Sequence, residues 1–112
     1  MGISEQIHEY LEKQADCITK KAEHREQHAT ACARLAVLMA RHIDKSTASF
    51  ENKIQLLLKK FEGTETEETI KSLSDSYYQD EALWKNYRDF AEVYKSKIIE
   101  LQSQRKHEGS GL

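Results

Sequence analysis

Residues 70–101 read IKSLSDSYYQDEALWKNYRDFAEVYKSKIIEL, and apolar side chains recur along this stretch every three and four positions. One heptad register places them at its a and d positions, where only Asp80 interrupts the series of Ile70, Leu73, Tyr77, Trp84, Tyr87, Ala91, Tyr94, Ile98 and Leu101. Such a repeat lays one apolar seam along a helix, and the seam needs a facing helix to bury it. The stretch therefore predicts helix packed against helix, with the seam residues other than Ala91 as candidate partner-binding residues.

The composition favours long helices over a thick globular core. The chain has 112 residues, no proline and 32% charged residues. Its apolar content of 38% lies below the roughly 45–50% of an ordinary globular domain. We therefore predict an all-α fold, either a long helical hairpin or a three-helix bundle with coiled-coil packing, completed by oligomerisation.

A clear helix boundary lies at Gly63. Glycine is typical of the position just past a helix end, and Thr64 with Glu67 forms a capping box that begins a new helix. We predict that this C-terminal helix covers residues 65–106 and that residues 107–112, which have no apolar pattern, form a disordered tail.

The N-terminal part is predicted to be a helical arm over residues 4–62, either continuous or bent near residues 44–47, where Ser46 or Thr47 offers a cap for a second helix. One heptad register nevertheless runs through this point, which favours a continuous arm, over Ala33, Ala36, Ala40, Ile43, Thr47, Phe50, Ile54, Leu57 and Phe61. Apolar residues off the seams require a third facing helix, from the bend or from another chain; they include Leu56, Leu58, Leu83 and Phe90. Arm and C-terminal helix together make a single predicted domain of residues 1–106.

Cysteine usage and hydropathy predict a soluble cytoplasmic protein. Cys17 and Cys32 fall in one predicted helix, roughly 22 Å apart along its axis, beyond disulfide reach. The N-terminus lacks the basic start and apolar run of a signal peptide. No stretch approaches the roughly 18 apolar residues of a membrane-spanning helix.

Three residues form the pattern closest to a metal site. His24, His28 and Cys32 lie at positions i, i+4 and i+8 on one helix face, and imidazole and thiolate ligands suit zinc. A single helix supplies only part of a tetrahedral shell, and the sequence offers no obvious fourth ligand. The competing interpretation is a polar helix face with histidines packed over alanines, and we predict no metal.

Signatures of catalysis are missing from the sequence. It contains neither a glycine-rich phosphate loop nor a nucleophile-elbow serine. Its carboxylates stand four residues from lysines, as in Glu67–Lys71 and Glu81–Lys85, which is typical of helix-surface ion pairs. We predict a non-enzymatic protein without catalytic residues or cofactor.

Charge is uneven along the chain. Residues 19–60 carry nine basic and four acidic side chains, whereas residues 61–112 carry seven basic and eleven acidic ones. A basic middle is able to meet an anionic membrane, although dense charge is also typical of solvated helix faces. The candidate membrane-binding residues are Lys20, Lys21, Arg25, Lys59 and Lys60.

Three segments together resemble a known family. They are His28–Ala36, the pattern F-x-x-x-I-x-x-L-L-x-x-F at Phe50–Phe61, and the long helix carrying Tyr87 and Tyr94. Their order over residues 7–105 is similar to the first two-thirds of the BAR-type domains of sorting nexins. That resemblance implies helices that dimerise into a curved bundle whose basic concave face meets membrane. The chain departs from the family in its shorter length and in its acidity.

The function predicted from the seam is association. We expect a non-enzymatic helical interaction or scaffold subunit whose partners are itself or other helical proteins. A BAR-like membrane-surface module is the alternative, and a metal-binding helical bundle is the second alternative. Nucleic acid is not an expected partner, because the charge around the C-terminal aromatic residues is acidic and repels phosphate.

Overall fold

The computed structural model describes residues 2–43 and 47–110. Within these ranges the chain forms helices and no strand: α1 spans Ile3–His42, α2 spans Phe50–Lys60 and α3 spans Glu65–Ser110. Side chains of α1 pack against side chains of α3, as in the Tyr10–Tyr94 ring contact at 5.9 Å between centroids. The predicted all-α helical bundle is confirmed.

α1 ends at His42 and does not continue to residue 62. Residues 47–49 are not helical, and the next helix starts with Ser49 as its N-cap, where the Ser49 hydroxyl accepts a hydrogen bond from the Asn52 N–H at 3.2 Å. The predicted caps were Ser46, which lies outside the described residues, and Thr47, which is not the cap. A serine that accepts from a first-turn N–H starts a helix without glycine or proline beside it.

The buried side of α1 differs from the predicted register. Ala33, Ala36 and Ala40 are exposed, whereas the structure buries Leu35 completely. The prediction required one register to pass from α1 into α2, and the helix break removes that requirement. Larger side chains then occupy the core, because each buries more apolar surface than an alanine. In α2 the same register is correct, since Ile54 is fully buried.

The turn between α2 and α3 forms around Gly63, as predicted, with φ of +80°. The capping box is modified: the Glu67 carboxylate accepts from the Gly63 N–H at 2.7 Å, and the Thr64 hydroxyl donates to the Phe61 carbonyl at 2.6 Å. α3 starts at Glu65, the predicted residue, and ends at Ser110. Residues 107–110 of the predicted tail are therefore helical, and residues 111–112 lie outside the described part.

Contacts divide the chain into two compact units, each of which takes a part of α1 and a part of α3. The central unit covers residues 24–82 and contains α2 as its third helical segment. Its core is one cluster of buried residues from all three segments: Ala31, Leu35, Met39, Ile54, Leu57, Ile70 and Tyr77. Cys32 packs against this cluster from a partly buried position.

The terminal unit combines residues 1–23 of the chain with residues 83–112. In its described part it has only two helical segments, one from α1 and one from α3. Its buried apolar side chains are few: Ile7, Cys17, Ala91 and Ile98. Both cysteines of the chain are free thiols, and each unit holds one of them.

Candidate interaction surface

The predicted partner-binding seam lies inside the two units. Ile70 and Tyr77 are buried in the central core, and Leu73 packs against it. In the terminal unit Ile98 is buried. The other predicted seam residues there are half-buried: Trp84, Tyr87, Tyr94 and Leu101. The seam is therefore covered by α1 of the same chain and, in the central unit, also by α2. A surface for a second protein has to be sought among the exposed residues.

Asp80, which interrupts the apolar seam, forms a buried polar contact. Asp80 is 8% exposed, and its carboxylate accepts a hydrogen bond from His24 Nδ1 at 2.9 Å. The Ser76 hydroxyl, one turn earlier on α3, donates to the other carboxylate oxygen. A buried carboxylate requires such donors, because burial without them costs several kcal/mol. The gap in the apolar repeat thus faces His24 of α1.

The ionisation of Asp80 depends on the balance between burial and these donors. Burial raises the pKa of the Asp80 carboxyl, whereas the hydrogen bonds from Ser76 and His24 and the nearby imidazoles lower it. The donors outweigh burial, so the pKa of Asp80 lies below its ordinary value. The carboxylate is therefore charged at neutral pH.

A second polar contact lies one turn further along α1. His28 Nδ1 donates to the Tyr77 carbonyl at 2.8 Å, and the His28 ring stacks on the Tyr77 ring at 5.0 Å between centroids. The Tyr77 hydroxyl donates to Glu51 of α2 at 2.8 Å. Burial, followed by the hydrogen bond to Glu51 and its charge, raises the pKa of Tyr77. Tyr77 thus joins all three segments of the central unit.

Each of the three metal-site candidates has a different neighbour in the structure. Over the residues that the structure describes, no group of three or more histidine, cysteine or acidic side chains is arranged to hold a metal ion. His24 contacts Asp80, His28 contacts the Tyr77 backbone, and Cys32 packs against the core. Sequence reasoning missed Asp80 as the partner of His24, although the gap in the seam was its signal.

Lys20 and Lys60, which are candidate membrane-binding residues, have partners within their own unit. In the terminal unit, Lys20 pairs with Asp16 at 3.2 Å and lies over the Tyr87 ring at 5.6 Å. In the central unit, the Lys60 ammonium donates to the His42 carbonyl at 2.8 Å. The other candidates are Lys21, Arg25 and Lys59, of which Lys59 lines a groove in the central unit.

An open groove of about 420 Å³ lies in the central unit where α2 leads into α3. Its lining is Gln55, Leu58, Lys59, Glu62 and Glu67. Glu67 is already engaged by the Gly63 N–H and by Lys71, at 3.0 Å. One of the three charged side chains of the groove is therefore already engaged within the chain.

In the described part of the terminal unit, α3 exposes four large apolar side chains: Ile99 is 55% exposed, and the other three share one side of the helix. Leu83, Phe90 and Val93 are 37%, 54% and 51% exposed. They follow one another at seven and three residues, so they lie on one side of the helix. We call these three residues the Phe90 flank. Leu83 and Phe90 were among the residues predicted to lie off the seam, and Val93 was missed.

A row of charges on α1 borders the Phe90 flank. Lys13 pairs with Glu9 at 3.0 Å, as Lys20 does with Asp16, and all four side chains are about half exposed. We call Glu9, Lys13, Asp16 and Lys20 the charged edge. Lys20 lies over the Tyr87 ring, which in turn contacts the Phe90 ring at 6.4 Å. The charged edge and the Phe90 flank therefore belong to the same side of the terminal unit.

The opposite side of the terminal unit is also partly apolar. Leu11 and Ile18 of α1 are 45% and 47% exposed and stand seven residues apart. They flank the buried positions of α1 on the side away from Lys13 and Lys20, since a heptad places its e and g residues on opposite sides of the seam. In the central unit, by contrast, Leu58 packs against the core and Leu56 is exposed.

Comparison with known proteins gives no relative. Neither a protein family, nor a curated protein, nor a solved structure matches the chain. The resemblance to BAR-type domains stays a prediction from sequence pattern. None of the helices, over the described residues, combines the length and apolarity required to cross a membrane.

Proposed function

We propose that this protein is a non-enzymatic helical interaction subunit that binds another helical surface through its terminal unit. The observation that carries this proposal is the exposure of large apolar side chains on an open pair of helices. In the described part of the terminal unit, no third helix covers Leu83, Phe90 or Val93. Protein interfaces favour large aromatic anchors surrounded by a polar rim, and Phe90 beside the charged edge has that composition.

The chemistry of this surface supports binding more than catalysis. Its polar groups are lysines paired with carboxylates one turn away on the same helix. Such pairs are ordinary features of an exposed helix and supply no nucleophile, base or metal ligand to a substrate. Apolar side chains of this size lose contact with water when a second helix packs on them, which favours association by about 25 cal/mol per Å² of buried apolar area.

Site-specific photo-cross-linking in cells that make the protein tests this function. A benzophenone amino acid in place of Phe90 is expected to give an adduct of discrete mass, to this chain or to another protein. The same amino acid in place of exposed Asp75 is the matched control and is expected to give none. Leu83→Glu, which places a charge on the same flank, is expected to reduce the Phe90 adduct. Absence of a discrete adduct at Phe90 and also at Leu11 and Ile18 would overturn the proposal.

A further inference from the structure

We infer that the partner of the Phe90 flank is a second copy of this chain, packed antiparallel about a twofold axis. This inference rests on the proposed function and names its partner. The contact surface consists of the Phe90 flank of α3 and the charged edge of α1. Both belong to one side of the terminal unit, so two copies can meet through the same surface, as a twofold dimer requires.

The order of charges on the charged edge is self-complementary in one direction only. Reading along α1, the order is Glu9, Lys13, Asp16, Lys20. When the two copies of α1 run antiparallel, Glu9 meets Lys20 of the second copy and Lys13 meets its Asp16. When they run parallel about a twofold axis, each charge meets its own copy, which is repulsive. Charge complementarity therefore selects the antiparallel arrangement.

The position of the axis follows from this charge pairing. The pairs place the axis on α1 midway between Lys13 and Asp16. Along the same stretch, Tyr10 packs on Tyr94 and Lys20 lies over Tyr87. The point midway between Tyr10 and Lys20 on α1 thus lies beside the point midway between Tyr87 and Tyr94 on α3.

Phe90 occupies that midway point on α3. It is the most exposed member of its flank, at 54%. The axis set by the charges therefore brings Phe90 against Phe90 of the second copy, with Leu83 and Val93 on either side. Aromatic rings in such contacts favour offset or edge-to-face stacking. Charges on one helix and an exposed ring on the other independently indicate the same centre.

Two other antiparallel registers also pair opposite charges. The first matches Glu9 with Lys13 of the second copy; its centre on α1 lies one turn earlier, which moves the axis on α3 towards Tyr94 and away from Phe90. The second matches Lys13 with Glu23 and Asp16 with Lys20 of the second copy. Its centre on α1 lies one turn further along, between Asp16 and Lys20, and this moves the axis on α3 towards Tyr87. Phe90 then no longer meets its own copy. The register centred between Lys13 and Asp16 is the one that uses the exposed ring.

The size of the surface predicts a reversible dimer. Two helices, each about 30 Å long and about 10 Å wide, together offer a face of roughly 600 Å² on each copy. Stable interfaces bury about 800 Å² on each partner, so this one lies at the small end. We expect a dimer that dissociates on dilution through the micromolar range.

Sedimentation equilibrium of the full chain between about 1 and 500 μM is the first measurement. The native protein is expected to change from a 13.0 kDa monomer to a dimer over this range. Phe90→Glu is expected to weaken dimerisation at least about 30-fold, the effect of losing a central anchor of 2 kcal/mol or more. Ile18→Glu places the same charge on the opposite side and is expected to leave it unchanged. Val93→Glu serves as a second variant if circular dichroism shows that Phe90→Glu has unfolded.

Subunit exchange tests the direction of packing. The variant Glu9→Lys, Lys13→Glu, Asp16→Lys, Lys20→Glu exchanges every charge of the charged edge and keeps the ion pairs within α1. It is expected to form its own dimer, because the exchanged order is also self-complementary. Mixed with ¹⁵N-labelled native chain, it is expected to form fewer mixed dimers in native mass spectra than the statistical half, because like charges then meet.

The outcomes separate this inference from the proposed function. A chain that remains monomeric, a dimer disrupted by Ile18→Glu but not by Phe90→Glu, or statistical mixing with the charge-exchanged variant would each overturn the antiparallel dimer. In any of those cases, a discrete adduct of Phe90 with a different protein would leave the proposed function standing. A concentration-dependent dimer that responds to Phe90→Glu and excludes the charge-exchanged chain would establish the inference.

Discussion

Asp80 is an acidic residue at a position where the heptad register calls for an apolar one. Its carboxylate is stabilised by His24 from α1 and by Ser76 from its own helix. Buried polar contacts of this kind add little net stability but are costly to break, because removal of one member leaves the others unsatisfied. They also oppose shifts of one helix along another, since a shift separates donor from acceptor.

Asp80→Ala is expected to lower the free energy of unfolding by about 1–3 kcal/mol, because His24 and Ser76 lose their acceptor. Asp75→Ala, which removes an exposed carboxylate from the same helix, is expected to change it by less than about 0.5 kcal/mol. Urea unfolding followed by circular dichroism measures both. A double-mutant cycle with His24→Ala is expected to give a coupling of at least about 0.5 kcal/mol. Additive effects would contradict a direct contact.

The lowered pKa of Asp80 sets the sign of its pH dependence. A carboxyl whose pKa is lower in the folded chain adds stability above its ordinary pKa, which is about 3.9. That contribution is lost as the pH falls through the lower pKa that Asp80 has in the folded chain. The difference in stability between the native protein and Asp80→Asn is therefore expected to shrink as the pH falls below about 4.

The raised pKa of Tyr77 predicts a loss of folding stability at alkaline pH. Because its pKa is raised in the folded chain, its contribution is fully present below the ordinary tyrosine pKa of about 10 and is lost as the pH rises further. Urea midpoints measured from pH 7 to pH 11 are expected to fall less steeply above pH 10 for Tyr77→Phe than for the native protein. Tyr78→Phe changes the exposed neighbour and should follow the native curve. Equal slopes for all three proteins would show that Tyr77 does not cause the alkaline loss.

Among the connections between elements, the α2–α3 turn depends on one backbone conformation. Gly63 has φ of +80°, and a Cβ added there would meet no atom within 4 Å. Gly63→Ala is therefore expected to cost about 1–2 kcal/mol from backbone strain alone, without steric clash. Gly2→Ala, also in open space and without a positive φ, is the matched control and is expected to be neutral. Equal melting temperatures for Gly63→Ala and Gly2→Ala would contradict backbone strain at position 63.

Local signals explain which element boundaries the sequence predicts correctly. The start of α3 at Glu65 follows from Gly63 and the Thr64–Glu67 pair, all within five residues. The end of α1 at His42 has no glycine or proline beside it, so the apolar repeat concealed the break. The predicted register therefore placed Ala36 on the core side, whereas the structure buries Leu35. The correct assignment depends on where α1 ends.

Contacts between distant residues were harder to predict than boundaries. The gap at Asp80 and the polar stretch around His24 were both visible in the sequence. His24 and Asp80 are 56 residues apart in sequence. Predicting that they pair requires knowing how α1 is positioned along α3, and neither segment determines this alone. The Phe90 flank was partly predictable, because Leu83 and Phe90 lie off the seam. The charged edge was missed, although its alternating signs recur at helical spacing.

At the scale of the whole molecule, the two units differ in how they bury apolar surface. The central unit has a third segment over its core, whereas the described terminal unit has two. Helical amides whose side chains make fewer buried contacts open at lower free energy. Hydrogen exchange is therefore expected to be faster in residues 3–23 and 83–107 than in residues 24–42 and 65–82. Equal protection in both sets would show that the third segment adds no local stability.

The dependence of amide protection on protein concentration tests the proposed dimer separately. If two copies pair through the Phe90 flank, protection in residues 83–107 is expected to rise with protein concentration, because association stabilises the folded form by mass action. Protection in residues 65–82 is expected to change less. A uniform rise across the chain would point to non-specific aggregation, and no rise would agree with a monomer.

Each unit holds one free cysteine, and this gives the chain two chemical reporters of its own. Cys17 is buried in the terminal unit, and Cys32 is partly covered in the central unit. A thiol reacts as the thiolate and only when a reagent reaches it, so the labelling rate of a covered cysteine follows the opening of its surroundings. Cys17→Ser and Cys32→Ser each leave a single reporter. Alkylation kinetics of these two variants would therefore time the opening of each unit separately, without an added probe.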